Sequence, residues 1–340
     1  MAHARMTDRP RPARAEREPV ELVWSLSYGF VLSRCLQGVA ELGVAEEVTD
    51  EPVSVEELAT RCGADADALR RVLRLLAAHG VFAFDGGIRH TPASRLLRRD
   101  HPISMCSLVR MLGLPLHARS LAVIEHTLRT GAPAVEMIDP RGPWAYLQDH
   151  PGERKLFDEA MTDKAAADIQ AVLGAYDFGR FGTIADIGGG RGHLVRAVLD
   201  AVPTASGVLF DLPDVIDRLD LGHERMTAHA GDFFVDPLPP ADAYMLMDVL
   251  HDWPDAQCVR ILGAIRAAAP APTVLIVESV PDDAEPSRLA LARDVLMLAL
   301  TGGRERTPAE LNRLLHPVGF GTGTVIETGG GVRIFEATAA

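Results

Sequence analysis

The sequence predicts an α/β protein: a doubly wound domain with a mostly parallel sheet, preceded by a mainly helical domain built on a winged-helix pattern. Three observations carry this. From Ile184 onward, short apolar strands alternate with helices, the signature of a parallel sheet covered on both faces. A glycine-rich loop, "ADIGGGRGHL" at 185–194, joins the first of these strands to its helix. Upstream, residues 54–91 read as helix, turn, helix and two short strands.

In chain order, "MAHARMTDRPRPARAEREP" is basic, lacks an apolar core and reads as a disordered tail over 1–20 rather than a secretory signal. Glu21 to about Leu42 reads as a helix, with Leu22, Leu26, Val31, Leu36 and Val39 among its apolar positions. Ser54 with Glu57 forms a capping box, Gly63 ends that helix, and Asp65 caps a second whose Leu69, Val72, Leu73 and Leu76 share a face. "VFAFDGGIRHT" then reads as a hairpin around Asp-Gly-Gly. These elements make a helical domain over 21–100. Residues 101–182 read as linking helices contributing to a substrate pocket, broken at Pro115, Gly131–Pro133 and Pro140–Pro143. From 183 to 340 come "TIADIG", "GVLFD", "MTAHAGDFF", "AYMLMDVL" and "TVLIVES" as strands, and "GTVIETGGGVRIFEATA" as an antiparallel hairpin closing one sheet edge.

Composition narrows the function. The chain has 340 residues, 47% hydrophobic, and a net charge of −13, which disfavours nucleic acid and anionic membranes as partners. The winged helix offers Arg70, Arg71 and Arg74 to DNA. Yet between Pro52 and Asp100 eight Arg face six acids, too balanced for a DNA reader, so packing and dimerisation is the better reading. Four scattered cysteines suit reduced thiols in a cytoplasm. The twelve histidines form neither H-x-x-x-H nor H-E-x-x-H, so no metal is implied. No apolar run reaches membrane-spanning length.

The glycine loop follows Asp186 with the spacing Asp186-x-Gly188-x-Gly190-x-Gly192. An acid there opposes a pyrophosphate and suits a cationic ligand. Asp211 ends the second strand, where a carboxylate can accept from both ribose hydroxyls. Asp232, ending the third, can accept from an adenine amine. Either could instead simply end a strand in a turn. Acids at successive strand ends lie where ligands of such sheets bind. Together they describe a phosphate-free, positively charged nucleoside, which S-adenosylmethionine is.

"DIGGGRGHL", "FDLPDVI", "GDFF", "LHDWPDAQCVRIL" and "LTGGRERTPAEL" together resemble the cation-independent small-molecule O-methyltransferases, among them plant phenolic enzymes and bacterial enzymes acting on polyketides and other specialised metabolites. The resemblance runs from about Val20 to the C-terminus. It implies a Rossmann-like class I methyltransferase domain behind a winged-helix dimerisation domain, in an intertwined homodimer, with S-adenosylmethionine as cofactor. It implies His251 as general base, since an imidazole can accept a phenolic proton. Asp252 reads as the N-cap of the next helix and Pro254 as part of its first turn. Glu278, ending the fifth strand, and Glu310, in "RTPAEL", are the acids implied to flank His251, with Glu305 the lesser candidate. Glu310 reads equally as a solvated residue in a first helical turn. The resemblance also places Phe233, Met247 and Trp253 on the cofactor. Phe157 and Met161 fall in the methyl-donor or acceptor pocket, although their spacing alone makes them core residues. Some members of this family have lost methyl transfer and use the scaffold for hydroxylation, decarboxylation or pericyclic reactions.

Overall fold

The structure is a computed structural model describing residues 14–217, 219, 222–281 and 287–340. Residues 1–13, most of the expected tail, lie outside the described residues. The remainder of that stretch is helical: α1 (Arg14–Ser27) begins before Glu21 and is followed by α2 (Gly29–Glu41), not fused with it. The Ser27 hydroxyl donates back to the Val23 carbonyl at 2.7 Å, and Gly29 follows, which divides the expected single helix.

The chain forms two compact units that divide at Gly113. The first continues with α3 (Val44–Glu47), α4 (Val55–Cys62), α5 (Ala66–Ala78), strands β1 (Phe82–Phe84) and β2 (Ile88–His90), α6 (Pro92–Arg95) and α7 (Cys106–Leu112). Ser54 accepts from the Glu57 amide and Asp65 from the Ala68 amide, so both N-caps form. The reciprocal arm of the expected capping box does not form, since the Glu57 carboxylate pairs with Arg61 instead. Gly63 ends α4 with φ +64°, a left-handed conformation that suits glycine. Leu58, Leu69, Leu73, Leu76, Phe82 and Ile88 form this unit's core. Helix α7 packs on α2, so the division falls inside the segment read as linking helices. Several large apolar side chains of α1 and α2, including Leu22, Trp24, Leu26 and Phe30, face solvent on the single chain.

The second unit opens with α8 (Pro115–Ala122), α9 (Ile124–Thr130), α10 (Pro143–Asp149) and the long α11 (Pro151–Ala175). The sheet follows: β3 (Thr183–Ile187), α12 (His193–Ala201), β4 (Ser206–Asp211), α13 (Pro213–Ile216), β5 (Met226–Ala230), β6 (Ala243–Met247), α14 (Asp255–Ala268), β7 (Thr273–Glu278), α15 (Arg288–Leu300), α16 (Pro308–Leu315), β8 (Thr324–Glu327) and β9 (Arg333–Thr338). The strand order is β5-β4-β3-β6-β7-β9-β8, parallel through β7 and antiparallel from β7 to β9 and β9 to β8. Apolar clusters cover both faces, as the near-continuous hydrophobic strands require. The chain leaves β3 towards β4 on one side and reaches β6 on the other. The carboxyl ends of β3 and β6 therefore flank a topological switch point, where ligands of such sheets bind. Asp211, His251 and Glu278 all arrive at that rim.

Candidate active site

The loop after β3 is shaped by internal packing at three glycines and left open at one. A Cβ on Gly189 would lie 2.5 Å from the Asp186 carboxyl carbon and 2.6 Å from Leu209. Gly188 (φ +67°) and Gly192 (φ +71°) would each bring a Cβ to 3.1 Å, from Val249 and Leu209 respectively. Gly190 (φ +57°) has nothing within 4 Å of a Cβ, so its backbone fronts open space. Asp186 lies beneath the loop, 1% exposed, with Oδ2 accepting from the Val195 amide at 3.3 Å and Oδ1 without a partner. Burial pushes its carboxyl up to about 7. Its contacts hold the loop onto α12.

Asp211 accepts from the Gly190 amide through Oδ2 and from the Leu212 amide through Oδ1, each at 2.7 Å. Burial raises its pKa and the two amides oppose that rise. Each oxygen keeps acceptor capacity, as vicinal ribose hydroxyls need. Asp232 is half-buried and caps its own turn, accepting from the Phe234 amide at 2.8 Å. Phe233, Phe234 and Trp253 form an edge-to-face cluster, with centroids 4.7 Å apart for Phe233–Phe234 and for Phe234–Trp253. Met247 ends β6, half-buried. An open glycine backbone, a two-oxygen acceptor and an aromatic wall fit S-adenosylmethionine.

Between β6 and α14 the chain makes a largely buried turn, residues 248–253, in which the amides of Val249 and His251 have no strand to pair with. Glu278 supplies one oxygen, Oε1, to the amides of Val249 at 3.2 Å and His251 at 3.0 Å. It therefore grips the histidine's backbone, with no hydrogen bond to its ring. Arg306, 1% exposed, donates to the carbonyls of Leu250 at 2.8 Å and Trp253 at 2.7 Å and is paired with Asp255. A Cβ on Gly303 would stand 1.9 Å from the His251 carbonyl oxygen, so only glycine lets these backbones pass. Asp248 adopts φ +53°, alone among the described non-glycine residues.

The imidazole of His251 is 14% exposed. Its Nδ1 faces Glu305 Oε1 at 3.6 Å and its Nε2 faces Asp252 Oδ1 at 3.7 Å. Burial alone lowers its pKa, but the negative charges of Asp252, Glu305, Glu278 and Asp248 outweigh burial and raise it well above an ordinary imidazole. Asp252 is pushed up in turn, by burial first and by its neighbouring acids.

Two sequence expectations are corrected here. Asp252 is no N-cap; Pro254 takes that position, and Asp252 ends the short 3-10 turn that carries His251. Glu310 does not flank His251. It completes a capping box with Thr307, accepting from the Thr307 amide at 3.0 Å, and faces Arg304 and Arg313 with 28% of its side chain exposed. Glu305, 3% exposed, holds that place instead. Phe157 and Met161 lie one turn apart on α11, half-buried, with Phe157 edge-on to Trp144 at 5.8 Å. Arg306 and Gly303 were not anticipated. The glycine doublet in "LTGGRERT" signalled a close approach, whereas nothing in the string distinguishes a buried arginine from a solvated one.

Residues 131–321 match the sequence model of the O-methyltransferase domain, and residues 24–100 that of the O-methyltransferase dimerisation domain. The chain belongs to the O-methyltransferase family. It is an S-adenosylmethionine-dependent O-methyltransferase. It is 37% identical to the phenazine O-methyltransferase PhzM of Lysobacter antibioticus over 91% of this chain and 93% of that one. The mitomycin 7-O-methyltransferase MmcR superposes with a TM-score of 0.87 at 34% identity, covering 96% of this chain and 99% of MmcR. The O-methyltransferase NcsB1 of neocarzinostatin biosynthesis, solved with S-adenosylmethionine and 2-hydroxy-5-methyl naphthoic acid, gives 0.77 at 31% identity, covering 91% and 96%. The dimerisation-domain match agrees with the reading of the N-terminal helices as a packing and dimerisation module.

Gly303 in this O-methyltransferase supplies the first test. Gly303→Ala should displace the His251 carbonyl, slow methyl transfer at least about 10²-fold, and lower stability by roughly 1–3 kcal/mol. Activity assays and thermal melts check both.

Proposed function

We propose that the chain transfers the methyl group of S-adenosylmethionine to a phenolic hydroxyl of an aromatic or polyketide-like small molecule, with His251 as general base. The single observation carrying this is the placement of His251: a nearly buried imidazole at the carboxyl end of β6, ringed by acids, beside the rim that carries Asp211. S-adenosylmethionine, when bound, supplies a methyl group on a sulfonium, already an excellent leaving group. What remains for the protein is to align the acceptor oxygen and remove its proton. Relatives that act on aromatic compounds support the acceptor class.

His251 accepts the acceptor's proton on Nε2, the nitrogen on the Asp252 side, while Nδ1 keeps its own proton toward Glu305. The imidazolium so formed is stabilised by Glu305 and Asp252. Glu278 and Arg306 fix the backbone, so the ring cannot follow the departing substrate. The same acids that stabilise the imidazolium keep the ring protonated at neutral pH, which makes activity rise into the alkaline range. Phe157 and Met161 line the acceptor side, and Asp211, Phe233, Met247 and Trp253 the nucleoside side. Asp186 and Gly188 act through the loop's shape, and Asp232 through its turn. The homodimer is part of the same reading. Apolar side chains of α1 and α2 stand exposed within or beside a matched dimerisation domain, and a soluble chain ordinarily covers such a patch.

Mass spectrometry after incubation with S-adenosylmethionine and a panel of phenols, 2-hydroxy-5-methyl naphthoic acid included, should show the gain of one methyl. Cofactor binding with no methyl gained by any acceptor would favour the non-methylating chemistry some members have adopted. His251→Ala keeps the amide that Glu278 holds, so S-adenosylhomocysteine affinity should stay near wild type while transfer slows by about 10²–10⁴-fold.

Glu305→Gln removes a charge that raises the His251 pKa. The alkaline rise in rate should therefore shift to lower pH, by roughly one unit. An unmoved profile would remove Glu305 from this role.

Asp211→Ala should weaken S-adenosylhomocysteine binding by about ten-fold or more, measured calorimetrically, as a ribose acceptor is lost.

Light scattering should give twice the 36.6 kDa chain mass. Trp24→Ser with Phe30→Ser should shift the population towards one chain.

A further inference from the structure

Helix α11 carries Phe157, Met161, Lys164 and Asp168 at intervals of four, three and four residues, which puts all four on one face. Lys164 Nζ bonds Asp248 Oδ2 at 2.6 Å and approaches Asp168 Oδ2 at 3.4 Å. Asp248 is the residue with φ +53°, three positions before His251. L-residues avoid this conformation, Asp and Asn being the side chains that tolerate it best after Gly. Its amide still donates to the Val277 carbonyl at 3.0 Å, so Asp248 is where the β6 ladder ends and the His251 turn begins. A non-glycine residue stays in such a conformation only where its surroundings hold it.

We propose that the Lys164–Asp248 ion pair is a positioning device that locks the left-handed start of the His251 turn to the acceptor-side face of α11. The proposal rests on His251 being the base. Both partners are largely buried, with side chains 21% and 18% exposed, and desolvation offsets most of what such a pair contributes to stability. Its value is then geometric. Asp248 can take either backbone hand, and the Lys164 bond selects the one that delivers the Val249 and His251 amides to Glu278. Because Phe157 and Met161 share the face of Lys164, the wall that seats the acceptor and the turn that carries the base are fixed in one register. The pair acts through His251 and touches no reacting atom, so Lys164 and Asp248 are positioning residues.

The test reads the turn directly. Amide hydrogen exchange is followed by NMR in the ligand-free protein for wild type, Lys164→Met, Lys164→Arg and Asp248→Asn. The neutral variants should speed exchange at Val249 and His251 about ten-fold, leave Leu209 in β4 unchanged, and Lys164→Arg should restore protection. Asparagine tolerates the left-handed backbone, so Asp248→Asn reports the lost pairing even where Lys164→Met fails to fold. Unchanged exchange at the two amides, or equal acceleration at Leu209, would overturn the proposal. The second readout is kcat for the phenol that the panel identifies. Lys164→Met should cost about ten-fold in wild type and nothing further in His251→Ala, with KM for S-adenosylmethionine unchanged. Equal losses in both backgrounds overturn the proposal. No loss from His251→Ala alone overturns the assignment of the base and leaves the exchange result standing.

Discussion

One carboxylate oxygen organises this site. Glu278 Oε1 accepts the amides of Val249 and His251, two donors that left the sheet at the end of β6 and would otherwise be buried without partners. Because β7 lies beside β6, the last residue of one strand can reach across and close the turn leaving the other. Arg306 satisfies the carbonyls on the opposite side of the turn, and Gly303 lets its own chain pass the His251 carbonyl. The turn leaving β6 thereby has its backbone groups satisfied from both sides. On the proposed reading of His251 as base, this holds it aligned with a substrate it does not bind covalently.

The acids around His251 pull in two directions. They stabilise the imidazolium and so raise its pKa; on the proposed reading this favours proton acceptance and also holds the ring charged before it. A general base works best when its pKa lies near the operating pH. On the proposed reading of His251 as base, its raised pKa places the best working range on the alkaline side.

The sheet and its rim were legible because strand periodicity and strand ends are local properties. Asp211, His251 and Glu278 each close an apolar run, and the structure brings them to the same rim. The loop glycines were legible in number but not in reason: Gly189 clears Asp186 and Leu209, whereas Gly190 fronts open space. Glu310 misled because "ERTPAEL" places two acids five residues apart, and only the capping geometry separates them. Thr307 claims Glu310, leaving Glu305 for the histidine. Asp252 misled for a related reason, since an Asp two residues before a proline reads as a cap until the 3-10 turn is seen to end on it. The Lys164–Asp248 pair spans 84 residues and has no local signature.

The position of β9 has a consequence for how the protein is made. It sits between β7 and β8, so the outer edge of the strand carrying Glu278 is covered by residues 333–338. During synthesis the parallel core, including Asp211 and His251, emerges first and ends in an open, largely apolar edge at β7. An exposed edge of that kind pairs readily with other chains. The interval between translating Glu278 and translating Thr338 is thus the period of greatest aggregation risk. Faster elongation or lower temperature across it, rather than greater native stability, is what would raise the yield of folded enzyme.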